Sequence, residues 1–191
     1  MVLGYHLIFG AYGFWLPNDP RGSGSWHVWA EHLRQFGPAT RLDDRSRSVA
    51  RHEHDWRLRL AAKRNLKFPA VKFTGIQAKA IGDGFGDYVR RNGVVVWACS
   101  ILPEHVHLTI GRHRYDIETI AEQLKAAATR RLLKECLHPF GHIMTPKGRP
   151  PSCWQRGSWS PFLEMPAAIC DCIRYVGNNP SKEGKPRQHW P

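Results

Sequence analysis

The sequence predicts an α+β protein: one antiparallel sheet with helices packed on one face. Three observations lead there. Short apolar runs rich in β-branched and aromatic residues alternate with stretches of helical period. The two clearest strands, residues 94–102 and 105–110, are separated only by a Pro-Glu turn and so pair as antiparallel neighbours. The order strand, helix, strand, strand, helix, strand, helix suits a single sheet carrying helices.

Each element has its own signal. Residues 3–15 are apolar and aromatic, which favours a buried strand and not a signal peptide; PNDPRGSGS ends it with turn formers. Residues 18–70 read as an irregular insertion, of which 41–67 hold nine Lys or Arg against four acids. Thr74 caps a helix running to about Asn92, with Ile76, Ala80, Ile81, Tyr88 and Val89 on its stripe and Gly93 as its stop. The three glycines of GDGFG weigh against that helix, at up to ~1 kcal/mol each. Asp116 opens a second helix with Ile117, Ile120, Ala121, Leu124, Ala128 and Leu132 on one face. Residues 136–158 read as a loop and 159–163 as a short strand. Residues 166–178 form the last helix, broken at Asn179-Pro180 because proline disfavours helix at the residue before it.

A chain of 191 residues is expected to form a single domain over 1–191, with the basic insertion at about 18–70. Lys plus Arg outnumber Asp plus Glu by 28 to 16, a net charge of +12, which points to a polyanionic partner and above all to nucleic acid. No stretch approaches the roughly 18 apolar residues of a membrane helix. Five cysteines without a C-x-x-C pair fit a reduced, cytoplasmic protein. Cys136, His138, His142 and Cys153 match no common zinc spacing. Trp26 and Trp29 are the better candidates for stacking on unpaired bases.

Two motifs carry chemistry. In Leu102-Pro103-Glu104-His105-Val106-His107-Leu108, strand alternation puts His105 and His107 on one face and Val106, Leu108 and Ile110 on the other. The apolar side belongs in the core, so the two imidazoles are expected on an exposed face, side by side, where they can chelate one divalent ion. His52-Glu53-His54 has the same spacing but no strand pattern, and reads as ordinary surface. In Arg174-Tyr175-Val176-Gly177-Asn178-Asn179-Pro180, Tyr175 and Asn179 stand four apart and project from one helix face. A phenol is a competent nucleophile toward phosphorus if a metal polarises the phosphate, and an amide oxygen is a neutral, hard ligand.

With these motifs the chain resembles the REP-associated tyrosine transposases, within the single-tyrosine HUH transposases of small insertion sequences. The resemblance lies in YHLIF and YGFWLPND near the start, WACSILPEHVHLTI, LKAAATRRLL, CWQRGSW and IRYVGNNPSKEGK, in that order, over roughly residues 3–16 and 73–187. It implies a ferredoxin-like HUH fold. It implies that His105, His107 and Asn179 bind Mg²⁺ or Mn²⁺. It implies that Tyr175 attacks single-stranded, hairpin-flanked DNA to give a 5′-phosphotyrosine and a free 3′-OH, later resealed. Lys125, Arg130, Arg131 and Arg156 are candidate contacts to the DNA backbone. The resemblance leaves monomer or homodimer open. A catalytically silent, domesticated protein that holds hairpin or single-stranded DNA is the alternative; replication initiators and relaxases run larger or carry a second tyrosine or third histidine.

Overall fold

The computed structural model describes residues 1–19, 27–39 and 55–190. The elements, in chain order, are strand β1 (Gly4–Gly10), a 3-10 helix (Glu31–Phe36), α1 (Trp56–Arg64), α2 (Gly75–Asn92), β2 (Val96–Ile101), β3 (His105–Gly111), α3 (Ile117–Lys134), β4 (Phe162–Leu163) and α4 (Pro166–Lys182). They fall into two compact units, Met1–Ala11 with Lys72–Pro191, and Tyr12–Val71.

The first unit is α+β, with a four-stranded antiparallel sheet in the order β2-β3-β1-β4. Alternation along β1 and β3 sends Leu7, Phe9, Val106, Leu108 and Ile110 to one face, where all are buried. That face meets α2 and α3: the Phe9 ring packs edge-on against Phe85, and Leu124 and Leu132 are fully buried. The opposite face is covered too, which corrects the expectation of helices on one face only. There Leu163, Cys172 and Val176 form a small cluster under α4, with Ala98 against it.

Helix α2 begins where expected, at a capping box between Thr74 and Gln77, and ends at Gly93 in the left-handed region. Its glycines do not break it, because two of them serve close approach. A Cβ on Gly84 would lie 3.0 Å from the Ala127 carbonyl oxygen and the Ala128 Cα on α3, and one on Gly82 would lie 2.2 Å from the Trp190 ring. Helix α4 also departs from expectation. It runs through Pro180 to Lys182, because Cys172, Val176, Asn179 and Pro180 make one continuous buried stripe. Burial of that stripe outweighs the backbone hydrogen bond the proline cannot donate. Strand β1 is shorter than expected, turning after Ala11 where Gly13 takes φ +81°. Strand β4 is only two residues; Trp159 joins β1 by a lone bridge to Ile8.

The second unit spans the segment expected to be irregular. Residues 20–26 and 40–54, including His52 and His54 and half of the basic run, lie outside the described residues. The rest has order of its own. Asp55 caps α1 by accepting from the backbone of Arg57 and Leu58, and Leu16, Leu33 and Ala62 form a small core. Asp19, fully buried, pairs with Arg59 at 3.4 Å.

Candidate active site

The face of β3 opposite the main core carries His105, His107 and Thr109. Thr109 Oγ1 lies 3.2 Å from Cys172 Sγ on α4, and the His107 ring meets the Tyr175 ring edge-on at 5.7 Å between centroids. The two histidines therefore do not stand on an exposed face, as alternation alone suggested. His107 is 6% exposed and the His105 side chain 14%. The physical reason is α4: its buried stripe needs a surface, and this face of the sheet is where it packs. The His105 and His107 rings remain neighbours, 4.9 Å apart at 77°.

A third imidazole joins them. His6 on β1 places Nε2 3.0 Å from His107 Nδ1, with the rings 5.2 Å apart, and its ring also meets Tyr175 edge-on at 5.6 Å. The sequence reading missed it. Burial pushes the His6 imidazole down to about 4. Burial, then the neighbouring charges of His105 and His6, holds His107 well below the usual histidine range. Neutral rings keep a lone pair for a ligand or a proton.

Helix α4 supplies the other side. Tyr175 is 43% exposed, and the Lys182 ammonium sits 4.5 Å above its ring. Tyr175, Asn179 and Glu183 follow one another at intervals of four along a single face. Tyr175 touches His107, and Glu183 Oε1 lies 3.8 Å from His105 Nε2. Asn179 lies between those two contacts on the helix. It is 7% exposed, and its Nδ2 has no hydrogen-bond partner among the described residues. Glu183 is a second residue the sequence reading passed over, because the helix was expected to end before it.

Among the described residues no group of three His, Cys, Asp or Glu side chains is gathered as a metal site, and Cys136, His138, His142 and Cys153 form none. A cation here would have to draw on the Asn179 amide as well as on imidazoles. The donor chemistry fits: the His107 imidazole held neutral by burial, the His105 imidazole with a carboxylate close to it, and a buried amide with an unused polar atom. A half-turn of that amide exchanges its nitrogen and oxygen.

The basic candidates divide. Lys125 is buried, and its ammonium donates to Glu122 Oε1 at 2.9 Å and to the carbonyls of Gln155 at 3.2 Å and Gly157 at 2.7 Å. Its three protons are committed inside the protein, so the backbone contact expected of it gives way to a structural task. Arg131 bonds to Glu135 and lies within 3.4 and 3.5 Å of Asp83 and Asp87. Arg130 and Arg156 are exposed. Arg130 lines an open hollow of about 150 Å³ with Arg91 and Lys134. Trp29 is exposed, and Trp26 lies outside the described residues.

No family model matches the chain, and no curated protein matches it. Among solved structures, the chain is similar to a REP-associated tyrosine transposase bound to a REP hairpin, at 12% identity, covering 95% of this chain and 68% of that one, with a TM-score of 0.49. It is also similar to a protein of Deinococcus radiodurans R1 described as a proposed transposase, at 16% identity over 93% of this chain and 91% of that one, with a TM-score of 0.42. Identities and superpositions this low leave the functional case to the chain's own side chains. No helix among the described residues is long and apolar enough to cross a membrane.

Proposed function

We propose that this protein is a divalent-metal-dependent transposase that nicks and rejoins single-stranded, hairpin-flanked DNA through Tyr175. The observation that carries the reading is the meeting of Tyr175 with the histidine cluster. A half-exposed phenol packs against buried, neutral imidazoles, on the same helix face as a buried amide and a carboxylate that reaches His105. His105, His107 and Asn179 would hold Mg²⁺ or Mn²⁺, with Glu183 adjacent. Such an ion, when bound, supplies charge neutralisation at the scissile phosphate.

The chain's own residues do the rest. The Tyr175 oxygen attacks phosphorus, a phosphorus–tyrosine oxygen bond forms, and the bond to the 3′ oxygen breaks. The phenolic proton is lost on that side and a proton is gained by the departing 3′-OH, so no water is consumed. Attack by a 3′-OH reverses the exchange and restores the phenol. The Lys182 ammonium, 4.5 Å over the Tyr175 ring, places a positive charge beside the position a scissile phosphate would take. The net charge of +12 draws the DNA in, and Arg130 and Arg156, both exposed, are the proposed backbone contacts.

The test is Tyr175→Phe, incubated with labelled single-stranded hairpin DNA and Mn²⁺. The unmodified protein should give a denaturant-resistant protein–DNA adduct. Tyr175→Phe should bind the same DNA with unchanged affinity and give none. If the unmodified protein binds DNA and yields no adduct, the silent DNA-binding alternative replaces this reading. An adduct that survives in Tyr175→Phe and disappears in Tyr115→Phe moves the nucleophile.

A further inference from the structure

We propose, on the footing that His105, His107 and Asn179 hold a divalent cation, that His6 is a positioning residue that sets the tautomer of His107 and leaves its Nε2 lone pair for the cation.

His6 Nε2 and His107 Nδ1 stand 3.0 Å apart, so one proton lies between two nitrogens. A neutral imidazole carries a single N–H, on one ring nitrogen or the other. Two arrangements exist. If His6 Nε2 carries the proton, His107 accepts at Nδ1, has its own proton on Nε2 and cannot ligate there. If His107 Nδ1 carries the proton, it donates to the His6 Nε2 lone pair, and His107 Nε2 is bare. Only the second suits a ligand, and it requires His6 to hold its own proton on Nδ1. A partner on the far nitrogen is the usual means by which a protein orients a metal-bound imidazole.

The fold reserves His6 for this contact. In the β1–β3 register His6 stands opposite Thr109, while His107 stands opposite Ile8. His6 therefore reaches His107 on the diagonal, within the span that long side chains on one sheet face bridge. Thr109, its direct neighbour, turns its hydroxyl to Cys172 instead. The same two rings also seat Tyr175, at 5.6 and 5.7 Å, so the orientation of the pair is held by packing as well as by the shared proton.

Two substitutions separate positioning from bulk structure. His6→Gln retains an acceptor for the His107 Nδ1–H; His6→Leu retains volume alone. Long-range ¹H–¹⁵N correlation on metal-free, ¹⁵N-labelled protein reads the His107 tautomer. Calorimetric titration with Mn²⁺ reads affinity, and circular dichroism melting checks the fold. Unmodified protein should show His107 protonated at Nδ1. His6→Leu should release that preference and weaken Mn²⁺ by about 10- to 100-fold, the range for loss of such a partner. His6→Gln should restore most of the affinity. Equal Mn²⁺ affinity in His6→Leu, an equal loss in both variants, or a His107 proton on Nε2 in the unmodified protein each overturns the role of His6 while leaving the cation site standing. Mn²⁺ affinity that is absent, or unmoved by His105→Ala and His107→Ala, removes the cation reading and this role with it. Should His6→Leu not fold, the tautomer of the unmodified protein and the His6→Gln titration still decide.

Discussion

Replacing Lys125 by methionine tests whether this lysine serves the DNA or the fold. Its ammonium makes three hydrogen bonds while only 4% exposed, and it lies 5.4 Å above the Phe9 ring. Methionine keeps the length and apolar stem and removes the donors. The bond to Glu122 matters least, since that side chain is 65% exposed and water takes over. The two carbonyl bonds tie residues 155–157 to α3, and hydrogen bonds to a charged group contribute ~1.5–3 kcal/mol each. Relief from burying an ammonium offsets part of this, so the net destabilisation is about 3 kcal/mol. In a chain of this length that lowers Tm by roughly 6–12 °C. Calorimetry or a circular dichroism melt reads the shift. A second assay, DNA affinity against salt at a temperature where both proteins are folded, should give the same slope for both. Unchanged Tm with a shallower salt slope would refute the structural assignment and return Lys125 to the DNA surface.

Other outcomes follow from the same geometry. Arg130→Ala and Arg156→Ala should each reduce the salt slope of single-strand binding by about 0.7, the contribution of one phosphate contact; fluorescence anisotropy at several salt concentrations checks it. Gly84→Val should destabilise by ~1–3 kcal/mol, because its side chain would press on the Ala127–Ala128 backbone where α2 meets α3; urea unfolding would show a lower midpoint. Acid should destabilise the fold early. The His6 pKa is about 4 when folded and 6.5 in its ordinary state, and that of His107 is shifted the same way, so between these values the unfolded chain binds more protons. Stability from these residues is therefore complete above about pH 6.5 and is lost as pH falls toward 4. His6 alone accounts for up to ~3 kcal/mol. A Tm that stays level from pH 7 to 4.5 would contradict the burial of both rings.

The sequence by itself determined the elements whose signals are local. Thr74 and Asp116 mark helix starts because a cap acts within one turn, and Gly93 marks a stop because it alone adopts the left-handed turn cheaply. His105 beside His107, and Tyr175 four residues before Asn179, were legible because strand and helix periods are short-range geometry. The tertiary structure decided what those residues face. Val106 and His107 lie on opposite faces in either reading, but only the docking of α4 shows that the polar face is buried as well. The bond between His6 and His107 spans 101 positions and exists only through the pairing of β1 with β3. Glu183 enters because α4 continues past Pro180, where the burial of a whole stripe overrides a local preference against helix. Lys125 is hidden for a like reason: four residues after Ala121 and three before Ala128 it stands at the edge of the apolar stripe of α3, and only the loop folding back at residues 155–157 decides that this edge is covered. Period and capping act over a few residues and are written in neighbouring letters. Burial is a property of distant surfaces meeting, which no single stretch of the chain carries.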